Sequence, residues 1–175
     1  MLLIHDLDSI TFQSISSAFP KDTTIVSKDM KNIHPCCGCF NCWIKTPGKC
    51  VIEDDYAIMP KLFIENNIII IITKVKYGCY SSYIKNVIER SIGYLLPFLI
   101  NVDGETHHSI RDKNKIPKLI FIGYSNDITS SEKETYFDLV KGNAINFGAK
   151  SNYECYVINN LQEINNILPK GGQLV

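Results

Sequence analysis

Long apolar runs are missing from this 175-residue chain. The longest, residues 68–72 and 95–100, are far too short to span a bilayer, so no membrane-embedded protein is expected. The amino terminus has no basic region, extended apolar stretch or small-residue cleavage site, so no secretory signal is expected either. An excess of one charge is also missing. Eighteen basic residues balance eighteen acidic ones, which removes the electrostatic footprint of a protein that binds nucleic acid or an anionic membrane. There is no internal repeat, low-complexity tract or linker. With 45% hydrophobic residues, the composition predicts one compact domain over residues 1–175 with a full core.

Cysteine, by contrast, is plentiful. There are seven, and five fall between residues 34 and 55, in HPCCGCFNCWIKTPGKCVIEDD. An odd number clustered in one loop points to a reducing cytoplasm rather than a secreted disulfide scaffold. Cys36, Cys39 and Cys42 recur at every third residue, and Cys50 follows. Two residues between thiolates let a tight turn aim neighbouring sulfurs at one ion or cluster, and a fourth ligand arrives from further along. Gly38 allows a sharp turn, and Pro47-Gly48 brings Cys50 back. Three chemistries fit this run: an iron–sulfur cluster, a zinc ion, or a loop of reduced thiols or a disulfide. Zinc sites more often come as two separated pairs.

Read in order, residues 1–7 and 23–27 form two strands, with a short helix at 9–19 between them. Asp54-Asp55 is expected to cap a helix running to about residue 66, with Pro60 in its first turn. Five consecutive isoleucines, 68–72, have the pattern of a central parallel strand buried on both faces. A helix starts at Ser81 or Ser82 and reaches about residue 94. Residues 97–116 read as a long irregular connection. A strand covers 117–123, and Ser131 with Glu134 reads as a capping box for a helix ending at Gly148. A fifth strand covers 153–158, and a last helix begins near Asn160 and stops at Pro169-Lys170-Gly171-Gly172. Strands alternating with crossover helices predict a doubly wound, five-stranded parallel α/β sheet with helices on both faces. Ligands of such sheets bind beyond the carboxyl ends of the strands. The cysteine run and the loops 73–80 and 124–130 all follow strands, so they are expected to share that edge.

The stretch TKVKYGCYSSYIKNVIER, residues 73–90, resembles the flavin-ring loop and following helix of the NAD(P)H-dependent FMN reductase group of flavodoxin-like proteins. Thr73, Val75, Tyr77, Gly78, Ser81, Lys85 and Arg90 fit the group's pattern, with Glu89 in place of an aspartate. Within that group, Cys36, Cys39, Cys42 and Cys50 followed by Asp54-Asp55 resemble the compact motif of the iron–sulfur flavoproteins, which ligates a 4Fe–4S cluster. The likeness extends over most of residues 33–147 and implies a flavodoxin-like fold. It implies an FMN-dependent oxidoreductase that takes electrons from NAD(P)H or a ferredoxin-type donor, and that forms a homodimer. Thr73, Lys74, Val75, Lys76, Tyr77, Gly78, Cys79, Tyr80 and Ser81 would cradle the ring on one side. Gly123, Tyr124 and Ser125 would lie on the other, and Ser9 and Thr11 would hold the phosphate. Tyr77 offers a flat wall and Gly78 a close backbone approach.

Two departures from the group stand out. Lys74 and Lys76 replace Pro and Tyr. The group's Gly-Ser-Pro-Arg-like phosphate loop, which presents N–H groups at a helix N-terminus, is replaced by HDLDSITFQS at 5–14. That loop has no glycine and no arginine. Asp6 and Asp8 would each oppose a phosphate charge by about 3 kcal/mol at ~5–6 Å and an effective dielectric of about 20. The alternative expectation is therefore a flavodoxin-like metal-binding or interaction module that has lost its FMN phosphate loop. Elsewhere, Glu105, His107 and His108 read as a loop covering the site or touching a partner. Arg90 reads as a structural ion-pair residue, Trp43 as an anchor for the cysteine loop, and Cys79 and Cys155 as packing residues.

Overall fold

Five isoleucines in a row leave a strand no polar face, and the fold encloses them accordingly. Ile69, Ile70, Ile71 and Ile72 are at most 1% exposed, each contributing roughly 1.5–3 kcal/mol of burial. The computed structural model describes residues 1–29 and 33–168. In chain order the elements are β1 (Leu2–His5), α1 (Ser9–Ile15), β2 (Thr24–Ser27), α2 (Asn41–Ile44), α3 (Met59–Glu65), β3 (Ile68–Lys74), α4 (Ser82–Arg90), β4 (Leu95–Val102), β5 (Glu105–Ile110), β6 (Lys118–Tyr124), α5 (Ser130–Asn146), β7 (Tyr153–Ile158) and α6 (Ile164–Ile167). Short 3-10 turns lie at Ser16–Ala18, Ile92–Tyr94 and Leu161–Glu163.

The five-stranded parallel sheet runs β2-β1-β3-β6-β7. Setting aside the β4–β5 hairpin, this is the flavodoxin-like order, with its switch point between β1 and β3. The period of two in β3 sorts its side chains between two layers. Ile69 and Ile71 join Leu2, Ile4, Leu119 and Phe121 in the core under α3, α4 and α5. Ile70 and Ile72 join Leu3, Ile120 and Ile122 against Ile15 of α1 and Ile164 of α6. Among the described residues, no helix is long and apolar enough to cross a membrane.

Three expectations are corrected. The connection at 97–116 is not irregular, because β4 and β5 pair as an antiparallel hairpin. Its turn is Asp103-Gly104, both at positive φ (52° and 89°), the conformation that a two-residue hairpin demands and that Asp-Gly supplies. Pro97 does not break β4 because it lies where the register shifts, between Leu95 and Leu99. The capping box of α5 is Thr129 with Glu132, two residues before the expected pair: Thr129 Oγ1 accepts from the Glu132 N–H at 3.2 Å, and Glu132 Oε2 accepts from the Thr129 N–H at 3.0 Å. Asp54 does not cap α3, which starts at Met59 with Pro60 in its first turn. Its carboxylate is engaged elsewhere. The expected stop at residues 169–172 lies outside the described residues.

Candidate functional site

The carboxyl edge of the sheet is organised by Asp6, which is 6% exposed at the end of β1. It accepts hydrogen bonds from Thr73 Oγ1 at 3.1 Å, the Lys74 N–H at 2.9 Å and the Tyr124 hydroxyl at 3.0 Å. One carboxylate thus ties together the ends of β1, β3 and β6, across the switch point between β1 and β3. Burial, reinforced by the charge of Asp6, pushes the Tyr124 hydroxyl up, so it stays a donor. The Thr73 hydroxyl also accepts from the Ser81 N–H at 3.0 Å, folding the loop 73–81 back onto the strand.

That loop turns tightly. Lys76 and Cys79 exchange both backbone hydrogen bonds (3.1 and 3.0 Å), with Tyr77 and Gly78 at φ 54° and 69°. Tyr77 is left 80% exposed, with the Lys76 ammonium 5.4 Å from its ring centroid. Between this loop and the one after β6 opens a cleft of about 400 Å³, bordered by Lys74, Val75, Lys76, Tyr77, Ser125, Asp127, Ile128 and Glu132. Its size suits a planar, ring-sized ligand. A second cleft, of about 710 Å³, shares Lys74 with the first and is bordered by Asp8, Thr11, Ser14, Lys28, Tyr124, Asn126, Asn159 and Asn160.

In the β1–α1 loop the side-chain donors are already taken. Asp8 caps α1, accepting from the Thr11 N–H at 2.9 Å and from Thr11 Oγ1 at 2.7 Å, and these bonds draw its carboxyl below the usual range. Ser9 Oγ donates to Asp29 at 2.7 Å. Ser14 Oγ donates to the Thr11 carbonyl at 2.7 Å. The ring half of FMN fits this edge; the phosphate half does not fit this loop.

The cysteine run is held from three sides. Phe40 adopts a left-handed conformation (φ 56°) and stacks on Trp43 at 5.1 Å. Trp43 in turn packs on His108 of β5 at 4.8 Å and donates Nε1–H to the Ile92 carbonyl at 3.3 Å. The turn at residues 46–49 is closed by the Lys49 N–H to the Thr46 carbonyl, and the Cys50 N–H bonds the Ala57 carbonyl at 3.1 Å. As a result Cys36, Cys39, Cys42 and Cys50, with Cys37 among them, line one small cavity of about 50 Å³, together with Gly38, Val51, Ile52, Ile92 and Arg90. Burial, followed by the charges of Cys50, Cys36 and Cys39, pushes the Cys42 thiol up. Those are the same three cysteines that the spacing grouped with it. Among the described residues, no three His, Cys, Asp or Glu side chains form a group that would hold a single metal ion.

Arg90 forms the floor of this cavity. Its side chain has no exposure, and it donates to Asp54 through Nη1 (2.6 Å) and Nη2 (2.7 Å), to the His34 carbonyl (2.8 Å) and to the Ile52 carbonyl (3.3 Å). Burial acts to raise the Asp54 carboxyl, but the hydrogen bonds from Arg90 and from the His34 N–H win and hold it well below the usual carboxylate range. The Nε–H of Arg90 is buried without a partner. An unpaired buried donor beside four thiols is what a thiolate or a bridging sulfide would satisfy. The donor set therefore fits an iron–sulfur cluster.

The edge brings together only some of the residues singled out from sequence. Lys74, Val75, Lys76, Tyr77 and Ser125 border the ring-sized cleft, and Thr11, Lys74 and Tyr124 border its extension. Gly78 faces α5, where an added Cβ would meet Thr135 Cβ at 2.7 Å, and Gly123 lies under Val75 and Tyr136. Tyr80 is 6% exposed in the core, with Asn143 donating to its hydroxyl, and Ser81 caps α4. Thr73 is fully buried, Ser9 is tied to Asp29, and Cys79 is half-buried behind the turn. Asn126, Asp127 and Ile128 lie in the loop 124–130 expected at this edge, whereas Glu132, Lys28, Asn159 and Asn160 were not expected there. All but Glu132 follow the carboxyl end of a strand within a few residues, and that position was the available signal.

No family model matches the chain, and no curated protein matches it by sequence. Its fold is similar to that of an FMN-dependent NADH-azoreductase from Bacillus anthracis solved in complex with FMN, with a TM-score of 0.56 at 10% identity, covering 95% of this chain and 92% of that one. It is also similar to the Trp repressor binding protein from Bacillus subtilis (TM-score 0.50, 14% identity, 95% and 91% covered). A third similar structure is general stress protein 14 from Treponema denticola in complex with FMN (TM-score 0.50, 11% identity, 94% and 91% covered). At these identities the likeness establishes the flavodoxin-like fold.

Proposed function

We propose that the chain is a flavin-dependent oxidoreductase that takes electrons from NAD(P)H or a ferredoxin-type donor, with a 4Fe–4S cluster in its cysteine cage. The observation that carries this reading is the placement of α4. Its N-cap, Ser81, bonds Thr73 at the base of the loop that borders the ring-sized cleft, and its last residue, Arg90, bounds the cavity of the cysteine run. The two candidate cofactor sites thus stand at opposite ends of one helix, nine residues or roughly 13 Å apart along its axis. The FMN complexes of two similar structures support the flavin at this edge.

When bound, a flavin accepts hydride and releases single electrons, and an iron–sulfur cluster exchanges single electrons. The chain's own part is to hold and orient. Tyr77 and Val75 offer an apolar wall, and Lys74 and Lys76 place cations beside it. Cysteines recurring at triplet spacing around one cavity suit a cluster, whose ligands bind different irons, better than one zinc ion, whose ligands usually come as two separated pairs. The exposed apolar residues Phe98 and Leu99 of the hairpin, with Phe40 and Ile44 at the cysteine run, support contact with an electron-transfer partner or a second copy in the cytoplasm.

A second reading, a metal-binding or interaction module, is favoured by the occupied donors of the β1–α1 loop. The test is anaerobic oxidation of NADH and NADPH by the reconstituted chain with added flavin. The oxidoreductase accelerates it well above free flavin. A rate equal to that of free flavin, with cluster in place, would favour the module.

A further inference from the structure

The β1–α1 loop and the cleft beside it carry an inference about which flavin enters, and it rests on the flavin reading above. Three hydroxyl or N–H donors that a phosphate would need are bonded to the chain's own carboxylates: the Thr11 N–H and Thr11 Oγ1 to Asp8, and Ser9 Oγ to Asp29. The fourth, Ser14 Oγ, is turned back onto the Thr11 carbonyl. The Asp6 carboxylate lies at the switch point with both oxygens engaged by Thr73, Lys74 and Tyr124.

The extension of the cleft holds two cations, Lys28 and Lys74. Against these two cations stand Asp8 in the lining itself and, just beyond it, Asp6 and Asp29, bonded to the Lys74 N–H and to Ser9 Oγ. Lys28 acts directly on Asp8. What the cleft does offer is a mixed lining of amides and carboxylate oxygens: Asn126, Asn159 and Asp8. Carboxylates and amide oxygens accept hydrogen bonds from hydroxyls, whereas they repel phosphate oxygens, which have no proton to give. A polyhydroxylated chain without a terminal phosphate matches that lining. The isoalloxazine ring still has its cleft between Tyr77 and Ser125.

We infer that the site takes the flavin by its ring and its sugar-alcohol chain and does not read a terminal phosphate, so that riboflavin is bound at least as tightly as FMN.

The test is fluorescence-quenching titration of the purified full-length chain with riboflavin and with FMN, repeated with inorganic phosphate and with the Asp8→Ser variant. Serine keeps a capping oxygen for α1, so the fold is preserved, and circular dichroism checks it. The wild type is expected to bind riboflavin as tightly as FMN or tighter, with riboflavin binding unchanged by phosphate. Asp8→Ser should shift the ratio toward FMN by about tenfold. Asp8→Asn, which caps equally well without the charge, should shift it the same way. FMN binding about tenfold tighter than riboflavin in the wild type, with phosphate competing, would overturn the inference while leaving the flavin reading intact. Saturable binding of neither flavin would overturn both.

Discussion

Arg90 and Asp54 form a bidentate ion pair, Nη1 to Oδ2 at 2.6 Å and Nη2 to Oδ1 at 2.7 Å, with the arginine side chain wholly shielded from water. The pair links the last residue of α4 to the loop that carries Cys50. Removing either partner strands a buried charge, so Asp54→Ala or Arg90→Leu alone is expected to cost ~3–5 kcal/mol in denaturant unfolding. The double variant should lose clearly less than the sum of the two. Equal additivity would mean that the pair is not coupled.

The same pair fixes an acid limit. The Asp54 carboxyl is depressed on folding, so as pH falls the unfolded chain takes up its proton first, near the ordinary value of 3.8. Its stabilising contribution is complete above that value and is lost progressively below it. Acid unfolding of wild type compared with the Asp54→Asn, Arg90→Leu double variant should show a shallower loss below about pH 4 in the variant.

His5 sets a milder acid window. It is 2% exposed and stacks on Phe12 at 4.3 Å, and neither ring nitrogen has a partner. Burial lowers its pKa below 6.5, with Asp6 only partly opposing. The unfolded chain therefore gains a proton before the folded one, and stability falls as pH drops below 6.5. His5→Phe should abolish that part of the pH dependence while leaving stability near pH 8 close to wild type. A variant with an unchanged slope between pH 6.5 and 5 would show that His5 does not titrate on unfolding.

Tyr77 is a clean probe of the ring cleft, and Gly78 is not. A side chain at Gly78 would collide with Thr135 of α5 and strain a backbone at φ 69°, so Gly78→Val should destabilise the fold by roughly 1–3 kcal/mol whatever binds. Tyr77, mostly exposed, tolerates Ala within about 0.5 kcal/mol. Tyr77→Ala should weaken flavin binding roughly three- to tenfold, the worth of one aromatic contact. Unchanged affinity would place the ring elsewhere.

Much of the fold was legible because the central strands are apolar on both faces. Residues 68–72 permit no solvent face, and the strand–helix alternation around them leaves one topology. The hairpin is less legible because Pro97 reads as a breaker; its local signal is Asp103-Gly104, whose two positive-φ residues are what such a turn requires. In the site, the triplet spacing grouped four of the five cysteines that line one cavity, and Cys37 lines it as well. The spacing said nothing of the cation beneath them. Arg90 and Asp54 are 36 residues apart and meet only because α4 ends where the cysteine loop returns. Lys28, Asn126 and Asn159 share the cleft through strand order alone, which no local pattern encodes. Asp54 was legible as a carboxylate near a helix start, but its stronger partner is tertiary.

Changing Cys36, Cys39, Cys42 or Cys50 singly to Ser should strip iron from the reconstituted chain, while Cys37, Cys79 and Cys155 should be dispensable. Cys37 is exposed. Cys155 is packed on the core cluster, and burial pushes its thiol up to about 12, so it stays an inert thiol. Iron retained in any of the four single variants would remove that residue from the ligand set.

The most direct test of the central claim is a single composition measurement on chain purified and reconstituted without oxygen: iron, inorganic sulfide, zinc and bound flavin per polypeptide, followed by anaerobic titration with NADH and NADPH. The account expects roughly four irons and four sulfides per chain, a flavin that co-purifies or binds on addition, and bleaching of that flavin by reduced nicotinamide. Stoichiometric zinc without sulfide, or a chain that binds no flavin at micromolar concentrations, would contradict it.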